Sequence, residues 1–420
     1  MRKYDNNKKK EQFEGLQLPD PKNIDKVTQI QEFLKENYDI KINTFDNSKG
    51  FIHCKSKKYK FTPSVSTIWL HLMSEGISCS KILLQTILND PNYIDSYNPI
   101  IDYFEALEGK FKGISHIDLL CDNLTARDFG DKDSVYYHNR LKYILRKWLV
   151  ASVACSKGLC KNDVAIGFIN SKGGIGKSKL IEFLVPEDLT DLYFQITDKN
   201  KYFDMKEIFS KFFLINFDEM NGISNRYPEN FKSIMSQKTI KLVPAYEKFY
   251  KDVPRIGNAA FTSNITSELG GFLTENMGLR RFGCIEIDSI NWKNYLKVVD
   301  INQIWAEAIM LLKQDFDFIW NDDDFNEFTE YNKRYLIETP IMNLLKLNYK
   351  IPDNGEGKFL TASEILQDLL LRRQITSEYR KYASPEKIGH ALTSLGFFKK
   401  MGRHDEHKNP YYAYNIICHV

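Results

Sequence analysis

Residues 171–178, SKGGIGKS, constrain this chain more than any other short stretch. They follow the apolar run VAIGFIN and lead into KSKLIEFLV, whose apolar residues recur at helical spacing before Pro186 stops the helix. A glycine-rich turn between a buried strand and a helix can wrap its backbone N–H groups around a phosphate, with the positive end of the helix aimed at the same point. A lysine then reaches the outer phosphate oxygens, and the hydroxyl after it holds Mg2+. Lys177 and Ser178 stand in those two places. Gly173, Gly174, Ile175 and Gly176 form the turn, and Lys179 continues the helix. Ser171 replaces the usual first glycine of the motif, so the flanking strand and helix carry much of the inference. The stretch predicts a nucleotide site with Mg2+ as its metal.

Such a site needs an acid for the metal and another for the attacking water. The run FFLINFDEMNG ends an apolar strand in Asp218 and Glu219, roughly 40 residues past the loop. Asp218 is the expected metal ligand and Glu219 the expected base. A further strand, GNAAFTSN, ends on Asn264, where a polar side chain can contact the γ-phosphate or the water. In MGLRRFGCIEID, Arg280 and Arg281 follow a glycine turn and precede a strand. Arginine stabilises the charge spread over a transferring phosphoryl group, and supplied to a neighbour's site it makes activity depend on assembly.

The 420 residues are enough for several domains. The pattern predicts an α/β chain organised around a P-loop core with a parallel sheet. A disordered basic arm is expected over 1–20, and a mostly helical N-terminal domain with a small hairpin over 21–150. The nucleotide-binding core follows over 151–320, a helical extension and linker over 321–357, and a C-terminal winged-helix-like domain over 358–420. Between 160 and 290 apolar strands alternate with helices, the signature of a parallel sheet covered on both faces. The tail reads as two helices followed by a basic hairpin carrying Lys399, Lys400 and Arg403. The seven cysteines are irregularly spaced, without a C-x-x-C pair, and read as buried free thiols. His404 and His407 read as a solvated polar loop rather than a metal pair. No run of 18 apolar residues predicts a membrane span, and the basic N-terminus lacks the apolar stretch of a secretory signal.

The net charge of +3 is too small to indicate nucleic-acid binding by itself, so any basic surface must be local. One such stretch is KTIKLVPAYEKFYKDVPR, which interleaves Lys238, Lys241, Lys248, Lys251 and Arg255 with Tyr246, Phe249 and Tyr250. Cations neutralise phosphates while rings stack on bases without sequence preference, a pattern suited to single-stranded DNA. Lys241, Lys248, Lys251 and Arg255 are the expected DNA contacts. Duplex DNA is a second expected partner, through the C-terminal helix and hairpin, with protein docking as the alternative use of that module.

Taken in order, NSKGGIGKSKL, TDKNKYFDMKEIFSKFFLINFDEM, FKSIMSQKTIKLVPAYEKFYKDVPRIGNAAFTSN, MGLRRF and INQIWAEA resemble the virulence-associated protein E family, over about 160–315. That family comprises P-loop ATPases of phages, plasmids and integrated elements, akin to superfamily 3 helicases within the AAA+ class. The resemblance implies Lys177 and Ser178 at the phosphates of ATP, Asp218 and Glu219 at Mg2+ and water, Asn264 as sensor, and Arg280 or Arg281 as arginine finger. It also implies a homo-oligomeric ring, usually a hexamer, around single-stranded DNA in the cytoplasm of a bacterial host. The basic hairpin would then line its pore. No polymerase-like acidic motif is visible in the N-terminal half, so a linked primase is not expected. The expectation is an ATP-driven DNA motor, a replicative helicase of a mobile element. Its rivals are a nucleotide-dependent switch or defence ATPase without unwinding, and an initiator or regulator in which ATP sets only the oligomeric state.

Overall fold

The computed structural model describes residues 21–43, 51–54, 64–90, 92–197, 204–220, 228–243, 249–352, 357–372, 374–375, 383–403 and 410–418. The arm over 1–20, Lys248, Tyr246, His404 and His407 lie outside them. The chain divides into two compact units, residues 1–105 and 106–420. In the first, helix α1 (Pro21–Asn37) runs into strand β1 (Tyr38–Asn43), which pairs antiparallel with β2 (Phe51–Cys54), as the hairpin signal predicted. Helices α2 (Val65–Ser74) and α3 (Lys81–Asn89) are each capped by a serine, Ser64 and Ser80, whose hydroxyl accepts from an unpaired backbone N–H of the first turn. Strand β3 (Asp95–Tyr97), too short to be read from sequence, pairs parallel with β1. Ile30, Leu34, Ile68, Leu72 and Leu84 form this unit's core.

The division falls inside α4 (Pro99–Leu107) rather than near residue 150. The reason is α6 (Tyr136–Ser156), which the periodicity correctly makes a helix but which belongs to the second unit. Arg140 donates to the Cys284 carbonyl at 2.6 Å, and the Trp148 indole N–H to the Val164 carbonyl at 3.2 Å. Helical spacing shows that a face is buried; it does not show against what. Before α6 come α5 (His116–Cys121) and the short strand β4 (Leu124–Ala126).

The second unit is built on a six-stranded sheet. Its strands are β4, β5 (Ala165–Ile169), β6 (Tyr193–Ile196), β7 (Leu214–Phe217), β10 (Asn258–Ser263) and β11 (Phe282–Ile290), in the order β4-β11-β5-β10-β7-β6. Five run parallel; β4 joins the β11 edge antiparallel. Strands β5, β7 and β10 are buried at every residue, which is why they read as unbroken apolar runs. The contact between β5 and β10 is so close that a Cβ on Gly167 would lie 1.8 Å from Phe261 Cζ. Helices α7 (Lys177–Phe183) and α8 (Met205–Lys211) follow β5 and β6. Helix α9 (Pro228–Met235) precedes a separate antiparallel ribbon of β8 (Thr239–Leu242) and β9 (Lys251–Pro254).

After β11 come α10 (Trp292–Val298), α11 (Ile301–Lys313) and α12 (Asp322–Asn332). The helical extension expected within 321–357 is interrupted, because Thr339 caps a new helix, α13 (Pro340–Asn348), with Pro340 at its first turn. The chain continues through β12 (Tyr349–Lys350), β13 (Lys358–Thr361), α14 (Ala362–Leu371), α15 (Pro385–Ser394), β14 (Lys399–Arg403) and β15 (Pro410–Cys418). Strand β15 pairs antiparallel with β12, β13 and β14, over a core of Leu345, Ile365, Leu369, Ile388, Leu392 and Tyr414. The expected linker thus runs into a strand at Lys358. Among the described residues no helix is long and apolar enough to cross a membrane.

Candidate nucleotide site

The ends of β5, β7 and β10 meet because β10 lies between the other two, all three parallel. At the end of β5 the chain turns on Asn170. Its Nδ2 donates to the Ile287 carbonyl at 2.5 Å, and its Oδ1 accepts from the Lys172 N–H at 2.6 Å. The loop then passes through Gly174 (φ 78°) and Gly176 (φ 103°), left-handed conformations that favour glycine. No atom lies within 4 Å of a Cβ placed at either, so backbone conformation rather than crowding demands glycine there.

Lys177 opens α7 and is buried. Its ammonium donates to the carbonyls of Asn170 (2.9 Å) and Lys172 (3.2 Å) and to Asn264 Oδ1 (2.7 Å). Burial pulls its pKa below the ordinary lysine value, and the nearby carboxylates of Asp218 and Glu219 oppose that shift. Ser178 Oγ donates to Asp218 Oδ1 at 2.8 Å. The same carboxylate accepts from Thr262 Oγ1 at 2.7 Å and, through Oδ2, from Gln195 Nε2 at 2.8 Å.

Glu219 follows with φ 57°, a left-handed conformation that costs a non-glycine residue on the order of 1–3 kcal/mol and tends to persist where function needs it. Its backbone N–H donates to Thr262 Oγ1 at 3.1 Å, and its Oε1 accepts from Asn264 Nδ2 at 3.1 Å. One asparagine at the end of β10 therefore touches both the loop lysine and the second acid. Gly173, Gly174, Ile175, Gly176, Lys177, Ser178, Lys179, Asp218, Glu219, Thr262 and Asn264 line one cleft of about 420 Å³, together with Trp292. Sequence reasoning brought nine of these loop and acid residues plus Asn264 to one place; it missed Thr262, Gln195, Asn170 and Trp292.

The arginine pair is not in this cleft. Arg281 is buried, donating to Ser236 Oγ at 2.8 Å, and a Cβ on Gly278 would sit 2.4 Å from its guanidinium. Arg280 is exposed, its guanidinium 5.2 Å from the Phe325 ring centre. Of the two, Arg280 is the exposed one.

Of the expected DNA contacts, Lys241 and Lys251 are exposed on the β8–β9 ribbon. Lys241 pairs with Asp252 and Lys251 with Leu242, so they lie on opposite faces of it. Phe249 and Tyr250 beside them are 79% and 74% exposed. Arg255 is a correction: it is fully buried, not on the surface. Just past β9 its side chain turns inward, donating to the Asn162 carbonyl at 2.8 Å and lying over the Phe209 ring.

Comparison with solved structures places three of the NrS-1 C-terminal region beside this chain. One apo structure is 13% identical, covering 93% of this chain and 99% of that one at a TM-score of 0.45. An A-form apo structure gives 13%, 93%, 100% and 0.44, and another A-form apo structure 12%, 92%, 98% and 0.43. No curated protein matches the chain. The virulence-associated protein E-like domain matches residues 111–336, more than half of the 420 and including the entire cleft, and the chain belongs to that family.

Proposed function

We propose that this protein is an ATP-hydrolysing motor that moves along single-stranded DNA as the replicative helicase of a mobile element, working as a homo-oligomeric ring. The observation that carries the proposal is the cleft itself, where Lys177, Ser178, Asp218, Glu219 and Asn264 converge from three separate segments. The parallel sheet with the loop strand β5 inside it supports the AAA+ reading. In the C-terminal part, helix α13, strand β13, helices α14 and α15 and the β14–β15 hairpin support the winged-helix reading.

Within this reading the loop N–H groups and Lys177 bind the phosphates of ATP. Lys177 reaches them by exchanging its contact with Asn264 for a phosphate oxygen. Glu219 takes the proton from a water whose oxygen attacks the γ-phosphorus; the bond to the β-phosphate oxygen breaks and ADP leaves. Asn264 orients Glu219. Ser178 and Asp218 fit Mg2+, since both offer hard oxygens, and Gln195 and Thr262 hold the carboxylate. Few protein ligands suffice, because Mg2+ keeps waters and phosphate oxygens as its others. Bound there, Mg2+ would neutralise charge on the phosphates.

Exposed Lys241 and Lys251 on the β8–β9 ribbon, with exposed Phe249 and Tyr250 just before β9, favour a motor over a switch, since they offer the combination of cations and rings that grips a single strand. The test is ATP hydrolysis with and without single-stranded DNA over a range of protein concentration. Stimulation by DNA, rising steeply with protein concentration, supports the motor. Flat, DNA-independent turnover replaces it with a nucleotide-dependent switch.

A further inference from the structure

Five tryptophans occur in the chain. Four of them give the indole N–H to an acceptor: Trp69 to the Cys79 carbonyl, Trp148 to Val164, Trp305 to Leu184, and Trp320 to Asn162 Oδ1. Trp148 and Trp305 are fully buried and Trp320 nearly so. Trp292 differs on both counts. It is 50% exposed, its indole N–H has no acceptor among the described residues, and it lines the same cleft as the phosphate loop.

Its position is built rather than incidental. Strand β11 runs parallel to β5, so both chains leave the sheet at the same end. The chain is then pinned: Asn291 N–H donates to the Asn123 carbonyl at 2.9 Å, and Asn294 Nδ2 to Asn123 Oδ1 at 2.7 Å. One turn on, buried Tyr295 packs its ring 5.0 Å from Phe183 at the far end of α7. Helix α10 is thus docked on the helix that begins with Lys177 and Ser178, and Trp292 sits at the end of α10 nearest the loop. The ring is half open to solvent, with the Lys293 ammonium 5.6 Å from its centre, and the open part faces the cleft that the loop lines.

We propose that Trp292 is the nucleobase platform of the nucleotide site, stacking its indole on the base of a nucleotide whose phosphates occupy the loop. This rests on the nucleotide reading above. Stacking uses the face of the base and not its edge, so it favours the larger purines without distinguishing adenine from guanine. The site's substrate class is then purine nucleoside triphosphates, held by phosphate at one end and ring at the other.

The test compares ATP with inorganic triphosphate, which has the phosphates and no base. Binding of each to the full-length protein is measured by calorimetry for wild type, Trp292→Ala, Trp292→Phe and Lys177→Ala. The Trp292→Ala change is expected to weaken ATP about 5- to 150-fold, the range of one lost base stack. Inorganic triphosphate binding should be unchanged, and Trp292→Phe should retain most of the ATP affinity. GTP should follow ATP through the series. Equal ATP affinity in wild type and Trp292→Ala overturns the assignment, as does an equal loss for ATP and triphosphate. If wild type binds neither, or Lys177→Ala leaves both unaffected, the nucleotide site itself fails and the base platform with it.

Discussion

Lys177 Nζ donates to Asn264 Oδ1 at 2.7 Å, and the amide of the same asparagine reaches Glu219 at 3.1 Å. A single side chain at the end of β10 thereby fixes the loop lysine and the carboxylate relative to each other. The two belong to segments 42 residues apart and follow strands, β5 and β7, that are not neighbours in the sheet. On the proposed function, a phosphate entering the loop would compete with Asn264 for the lysine and leave the asparagine to hold Glu219 and the water.

Replacing Asn264 with Ala should therefore act on turnover more than on binding. We expect ATP hydrolysis to fall about 100-fold, the scale for losing one positioned polar contact at a phosphoryl-transfer or acyl-transfer centre. ATP affinity should stay within about threefold, because the loop carbonyls of Asn170 and Lys172 still hold Lys177 in place. Steady-state kinetics beside equilibrium binding checks this. Proportional losses in both would make Asn264 part of the binding loop instead.

Thr262 holds both acids from one buried hydroxyl. It donates to Asp218 Oδ1 at 2.7 Å and accepts from the Glu219 N–H at 3.1 Å. Thr262→Val keeps the shape and removes both contacts, leaving a backbone donor unpaired where Glu219 already holds a left-handed conformation. The expected cost is about 1–3 kcal/mol in stability, with lost turnover. Thr262→Ser should restore both. Chemical denaturation and ATPase assays of the pair read the difference.

The pH dependence of stability should carry a signature of Lys177. Burial lowers its pKa from the ordinary 10.5 in the folded protein. Between the lowered value and 10.5 the unfolded chain holds more protons at this site than the folded one. Across that window its contribution to stability becomes more favourable as pH rises, and below it the buried ammonium is unfavourable. Lys177→Met should raise stability at neutral pH and flatten the alkaline rise. Urea midpoints for both proteins from about pH 7 to about pH 10.5 test the sign. A steeper alkaline rise in the variant would contradict it.

The core of this site was legible because its strands are buried on both faces. Continuous apolar runs ending in Asn170, Asp218 and Asn264 mark β5, β7 and β10, and the glycines mark the turn between strand and helix. Strand order is what spacing does not encode. Thr262 and Gln195 matter only because β10 and β6 flank β7, and Trp292 only because β11 lies beside β5. Strands β3, β4 and β13 have three or four residues each, too few for a period, and pair with partners distant in sequence. The division within α4, rather than near 150, has a related reason: α6 shows a buried face, but its partners, Cys284 and Val164, come later in the chain.

Arg255 shows the same limit, and a prediction follows. Composition grouped it with Lys241 and Lys251 as a DNA contact, yet composition does not say which residue turns inward where the ribbon rejoins the sheet. Its Nη2 donates to the Asn162 carbonyl at 2.8 Å, its Nε has no partner among the described residues, and its guanidinium lies 5.7 Å from the Phe209 ring centre. Arg255→Ala empties a buried site and should destabilise the protein by about 2–4 kcal/mol. Its effect on DNA should be no larger than that loss of fold explains. Lys241→Ala and Lys251→Ala should do the reverse. Each should leave stability within about 0.5 kcal/mol, and each lost phosphate contact should reduce the salt slope of single-strand binding by about 0.7. Denaturation curves and salt titrations of the three variants separate the roles. A salt slope that changes for Arg255→Ala and not for the lysines would return the arginine to the DNA.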